Sequence, residues 1–111
     1  MKLGLDSLSS VRAAAKEIIS SVEKVDILVN NAGIMYLPTY TTTEAGVEMQ
    51  FGVNHLGHWL LTVLLLKSPV GKGMSVVNVS SLGYELGEFG DPNWDVSCAP
   101  PRPECWRLTC L

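Results

Sequence analysis

The chain has 111 residues, 47% of them hydrophobic, with a net charge of −3 and a pI near 5.2. A chain of this size suits one small domain, and its apolar content is that of a globular protein rather than a disordered one. The eight basic residues are scattered, which leaves no electrostatic footprint for nucleic acid or an anionic membrane surface.

No signal-peptide pattern opens the sequence: Met1 and Lys2 lead into a strand-like Leu3-Gly4-Leu5 and then Asp6. The expected location is cytoplasmic. The most apolar stretch, residues 56–66, is interrupted by Gly57, His58 and Thr62. A bilayer span needs about 20 consecutive apolar residues, so a buried helix is expected there and no membrane span. Cys98, Cys105 and Cys110 all fall in the last fourteen residues. An odd number without a Cys-x-x-Cys pair describes neither a disulfide framework nor a zinc knuckle, so reduced thiols and no metal are expected.

In chain order, residues 2–5 read as a short strand. Ser7 suits an N-cap, its hydroxyl accepting from a free N–H of the first turn. Leu8, Val11, Ala15, Ile18 and Val22 then recur at three- and four-residue steps, predicting a helix with one apolar stripe against a sheet. Ile27-Leu28-Val29, opened by Asp26 and closed by Asn30-Asn31-Ala32-Gly33, reads as a strand buried on both faces, as in a parallel sheet. After a loop with Pro38 and several threonines, Thr42 or Thr43 is expected to cap a long helix from Glu44 to near Lys67. Ser68-Pro69 and Gly71-Lys72-Gly73 end it. Ser75-Val76-Val77-Asn78-Val79 is a second β-branched strand, ending at Ser80-Ser81.

Strand, helix, strand, helix, strand predicts an α/β fold: part of a doubly wound parallel sheet of Rossmann type. Residues 1–95 read as the central part of that domain. Residues 96–111, with prolines at 100, 101 and 103, read as an irregular Pro- and Cys-rich tail.

Three strings carry a resemblance. Asp26-Ile27-Leu28-Val29-Asn30-Asn31-Ala32-Gly33, Phe51-Gly52-Val53-Asn54-His55-Leu56-Gly57-His58 and Val76-Val77-Asn78-Val79-Ser80-Ser81 stand in the order and spacing of the short-chain dehydrogenase/reductase motifs. The resemblance covers about residues 2–95, and the Asn-His-Leu-Gly-His string is similar to the retinol-dehydrogenase-like and WW-domain-oxidoreductase-like branch. It implies NAD or NADP as cofactor and a small-molecule alcohol or carbonyl as substrate. It implies further that Asn31, Ala32 and Gly33 line the cofactor, with Asn30 tying neighbouring strands. Asp6 would meet the adenine, and the backbone of Val79 the nicotinamide side. Asn54 would hold a water that links an active-site lysine to solvent, and Ser81 would hydrogen-bond the substrate oxygen.

Each role has a physical reason. A dinucleotide lies across the carboxyl ends of parallel strands, and Gly33, lacking a Cβ, permits close approach. A serine at a strand tip can aim a donor at a developing alkoxide. His55 and His58 could share a helix face but lack a third ligand, so they are expected at the helix surface or in an interface rather than on a metal.

Two family parts are not found in these 111 residues. No glycine-rich turn precedes Asp6, and no Tyr-x-x-x-Lys follows Ser81: Tyr84 is followed four places on by Glu88, and no lysine comes after Lys72. In the doubly wound order the first strand here would stand roughly 14 Å from the second, unpaired. The chain alone is therefore expected to be poorly stable, to bind cofactor weakly or not at all, and to be inactive. A second reading is a non-catalytic product that associates with full-length relatives, or as a homo-oligomer, through residues 44–67. Trp59, Leu60, Val63 and Leu64 would supply that surface. A third is that the two ends of the sequence reflect the gene model.

Overall fold

A computed structural model describes residues 2–35 and 37–81. The tail expected over 96–111 lies outside the described residues. Among the described residues the strands form a two-stranded parallel sheet. β1 (Ile27–Asn30) pairs with β2 (Ser75–Asn78) in the register Ile27↔Ser75 to Asn30↔Asn78. Ser75 N donates to Asp26 O at one end of the ladder, and Val79 N to Asn30 O at the other. Both strands therefore deliver their carboxyl ends to the same edge of the molecule.

Helix α1 (Leu8–Ser21) precedes β1, and Ser7 caps it as the sequence suggests, its hydroxyl accepting from Ser10 N at 3.4 Å. Val11 and Ala15 of the predicted stripe are buried, and Leu8 and Ile18 pack beside them. Residues 2–5, read as a strand, form no ladder among the described residues.

The crossover between the strands is one helical run in three parts: α2 (Met49–Phe51), a π-helical segment (Gly52–Gly57) and α3 (His58–Leu66). Its start differs from the expected Glu44. Residues 42–48 instead form a tight turn, with Thr42 bridged antiparallel to Glu48 and Thr43 N donating to Val47 O. Gly46 turns the chain at φ 76°. The N-cap is not a threonine but Glu48, whose carboxylate accepts from Gln50 N at 2.9 Å and Phe51 N at 2.7 Å. A carboxylate reaches two orphan N–H groups where a hydroxyl reaches one, and its charge suits the positive end of the helix.

α1 and α3 pack together over one face of the sheet. Leu60, Leu61, Leu65, Val70 and Met74 join Val11 and Ala15, with Leu28 and Val76 rising from the strands. Close approaches fix this packing. A Cβ on Gly57 would stand 2.5 Å from the carbonyl oxygen of Leu5, which holds the entry to α1 against the π segment. The opposite sheet face, expected to be buried, is open among the described residues: Ile27 and Val29 are 63% and 55% exposed, and Val77 and Val79 share their face. The described helices lie on one side only.

Leu65 is one of the two large side chains that are fully buried. Leu65→Ala is expected to cost about 2–5 kcal/mol through lost burial and the cavity left behind. Val77→Thr on the open face should change stability by less than about 0.5 kcal/mol. Urea denaturation of both variants checks the contrast; equal losses would contradict this assignment of the core.

Candidate functional site

A cleft of about 230 Å³ opens at the carboxyl ends of the strands. Residues 30–35 from the loop after β1 form one wall, Val79, Ser80 and Ser81 after β2 another, and Gln50 and Asn54 of the helical run close it. Six of the seven predicted site residues meet here: Asn31, Ala32, Gly33, Asn54, Val79 and Ser81. Asp6 does not line the cleft; it is exposed in the turn that enters α1. Both Ser80 and Ser81 reach the wall.

Side-chain amides hold the walls in place. Asn30 is buried at the end of β1 and spends both amide hydrogens, one on Asn78 Oδ1 at 2.8 Å and one on Thr62 Oγ1 at 3.0 Å. It thereby ties the two strand tips to α3. Asn54 clamps the loop from the other side: its Oδ1 accepts from Ile34 N at 2.8 Å, and its Nδ2 donates to Ile34 O at 2.9 Å. Gly33 lies directly against this clamp, since a Cβ there would come 3.3 Å from Asn54 Oδ1. A side chain there would press on the Asn54 amide, so glycine lets the loop and the helical run approach closely.

His58 was expected at the helix surface or in an interface, but it is buried and belongs to the same network. Its Nδ1 lies 2.9 Å from the carbonyl of Asn54, which only accepts, so Nδ1 carries the proton. The His58 backbone N–H turns instead to His55 O. Thr62 Oγ1 donates to His58 O at 2.8 Å while accepting from Asn30. His55 is exposed as expected, its ring stacked on Phe51 at 5.2 Å.

The sequence alone gives Gln50 and Thr62 no role at the site, and it places His58 at a surface or interface. The signal was present: Gln50, Asn54, His58 and Thr62 recur at steps of four in an otherwise apolar run. On an α-helix of about 3.6 residues per turn, a four-residue step drifts around the axis. The wider π turn offsets that drift and keeps the four on one face, and π segments of this kind often mark functional sites. Two buried amide oxygens, Asn30 Oδ1 and Gln50 Oε1, find no partner among the described residues. Leaving such an acceptor unmet costs about 1–3 kcal/mol. Among the described residues no group of His, Cys, Asp or Glu is arranged to hold a metal ion.

Asn54→Ala should free the loop after β1. The amide of Ile34 is expected to exchange with solvent at least about tenfold faster, as loss of a bond worth about 1–1.5 kcal/mol requires. Asn54→Asp keeps the acceptor and should show a smaller increase. Hydrogen-exchange NMR at Ile34 checks the order; unchanged exchange in Asn54→Ala would rule out the clamp.

Comparison with known proteins shows the family. The short chain dehydrogenase family profile matches residues 1–95. Human retinol dehydrogenase 13 is 54% identical over 95 residues, 83% of this chain and 28% of that protein. Mouse retinol dehydrogenase 14 is 50% identical over 99 residues, 86% of this chain and 29% of that protein. The chain thus spans less than a third of the length of these relatives. A crystal structure of an uncharacterised protein from Mycobacterium paratuberculosis superposes with a TM-score of 0.76 at 36% identity, over 99% of this chain and 38% of that one. With a matching profile, close retinol dehydrogenase relatives and the sheet-end cleft, the chain belongs to the short-chain dehydrogenase family of oxidoreductases and is retinol-dehydrogenase-like, with part of a Rossmann-type fold.

Proposed function

We propose that these residues form the central part of an NAD(P)(H)-dependent oxidoreductase that moves hydride between a nicotinamide and an alcohol or carbonyl carbon. The convergence of three separate loops on one cleft at the strand ends carries this reading. Asn31, Ala32, Gly33 and Val79 would hold the nicotinamide half of the dinucleotide, which supplies the hydride-accepting or hydride-donating ring. Asp6 would meet the adenine end. The backbone of Leu5 lies against Gly57, which places this turn beside the helical run that also carries Asn54. The residues fit such a group, because two residues that line the cleft, Asn30 and Gln50, carry buried amide oxygens with no partner among the described residues.

In this reading Ser81 directs its hydroxyl at the substrate oxygen and stabilises the charge that develops there. Asn54 acts in two ways. Its side chain fixes the cofactor loop, and it would hold a water that links an active-site lysine to solvent. Proton transfer to or from the substrate oxygen requires an acid–base group besides Ser81. Residues 1–111 hold no Tyr-x-x-x-Lys after Ser81. The names of the relatives point to a lipophilic primary alcohol of the retinoid class as substrate.

Among the described residues no helix is long and apolar enough to cross a membrane. A second reading, association through the long helix, is favoured by Trp59 and Leu66, which are 54% and 50% exposed. Leu60 is buried in the chain's own core and Leu64 packs against it, so neither supplies such a surface.

Saturation-transfer NMR of residues 1–111 with NAD or NADP at millimolar concentration is expected to show weak binding through the nicotinamide protons. No reduced nicotinamide should form when retinol is added. Binding through the adenine protons alone, with no transfer to the nicotinamide, would overturn the cofactor reading of this cleft. For the association reading, sedimentation at micromolar concentration should show a dimer that Trp59→Glu dissociates; a monomer at every concentration would remove it.

A further inference from the structure

We propose that Gln50 reads a hydrogen-bond donor on the nicotinamide riboside half of the ligand, an assignment that rests on the oxidoreductase reading above. Gln50 is 7% exposed, yet it lines the cleft, and its Oε1 has no partner among the described residues. A buried amide oxygen left unmet is a standing penalty in the free protein. A ligand N–H or O–H entering the cleft removes it.

The position of Gln50 supports the assignment. It stands one turn before Asn54 on the polar face of the helical run, and the amide oxygen of Asn54 is already engaged by Ile34 N. Thr62, further along the same face, is spent on Asn30 and His58. Gln50 is the member of the series whose acceptor is left over. Its backbone is held as well, since Gln50 N donates to the capping carboxylate of Glu48. The acceptor is thus presented from a fixed helix start rather than from a mobile loop, which lowers the ordering cost of binding.

The chemistry of the partner follows from the chemistry of the acceptor. A carbonyl oxygen repels phosphate and carboxylate oxygens and accepts only from a donor. The nicotinamide riboside half offers two kinds, the carboxamide N–H and the ribose hydroxyls. An alcohol substrate offers a third, while a carbonyl substrate offers none. The cleft is walled by the residues that the cofactor reading places at the nicotinamide half, Asn31 to Gly33 and Val79, so that half is the assigned source.

The test compares Gln50→Leu and Gln50→Met with the unaltered chain by saturation-transfer NMR titration. Three ligands are used: NAD, ADP-ribose (which lacks the nicotinamide) and a primary alcohol. Both variants should bind NAD about tenfold more weakly, as loss of one hydrogen bond implies. ADP-ribose keeps the ribose hydroxyls, so it should be unaffected where the donor is the carboxamide N–H and weakened to the same degree where the donor is a ribose hydroxyl. Either result supports the assignment and identifies the donor. Their melting temperatures should hold or rise, because each substitution removes an unmet buried acceptor. Unchanged NAD affinity in both variants overturns the proposal and leaves the oxidoreductase reading standing. Weakened alcohol binding with unchanged NAD affinity also overturns it, by moving the donor to the substrate. Lower melting temperatures in both variants would make the amide a part of the fold instead. If NAD binds through its adenine protons alone, the reading beneath the proposal fails with it.

Discussion

The side-chain amide of Asn30 holds three elements at one point. One hydrogen goes to Asn78 at the tip of β2 and the other to Thr62 on α3. A parallel pair of four-residue strands has few ladder bonds to set its end, and an amide across the tips adds one beyond them. Because Thr62 passes the link to His58, and His58 Nδ1 to the carbonyl of Asn54, the tie continues along the helix. Asn54 then closes it on Ile34. The loops after β1 and β2 and the helical run are therefore positioned as one unit. Loss of any link leaves a buried polar group without its partner, which costs more than the bond itself contributed.

This explains why an apolar helix carries polar residues at steps of four. Each of Asn54, His58 and Thr62 spends a side-chain group on a neighbour one turn away, on the strand beside it or on the loop that follows that strand. Buried amides and imidazoles are tolerable only when so matched. The π segment belongs to the same solution: it turns Asn54 and His58 onto the face that looks at the strand tips. Gln50 continues the stripe outward, where the strands end and the cleft begins. The polar face thus changes character along its length, from groups satisfied by protein to one left open toward the cleft.

How much of this could be read from the sequence depended on the kind of information each residue carries. The β-branched runs at 27–29 and 75–79 announce strands, and the stripe from Leu8 to Ile18 announces a helix, because periodicity is a local property. Asn31 to Gly33, Asn54 and Ser81 could be singled out because three strings matched in register, and the fold brings these residues to one cleft. The helix start was misplaced because Thr42 and Thr43 are good caps by type, while the bridge from Thr42 to Glu48 is a pairing between residues six apart. His58 was misread because a histidine on an apolar helix has no local mark of burial. Its partner, the carbonyl of Asn54, becomes visible only once the helix is built.

The sheet itself sets a last constraint on the site. Parallel sheets are stable when both faces are covered. Here the described helices cover the face of Leu28 and Val76, while Ile27, Val29, Val77 and Val79 remain largely exposed. Burying a side chain of this kind fully gives about 1.5–3 kcal/mol, so covering four that are already half-buried would add on the order of 3–6 kcal/mol. That is comparable with the entire stability of a small domain, which is about 5–15 kcal/mol. Val79 is the point at which the two matters meet, because it ends the open face and also forms a wall of the cleft. Whatever covers this face also fixes the position of that wall, so stability and the shape of the site are set together.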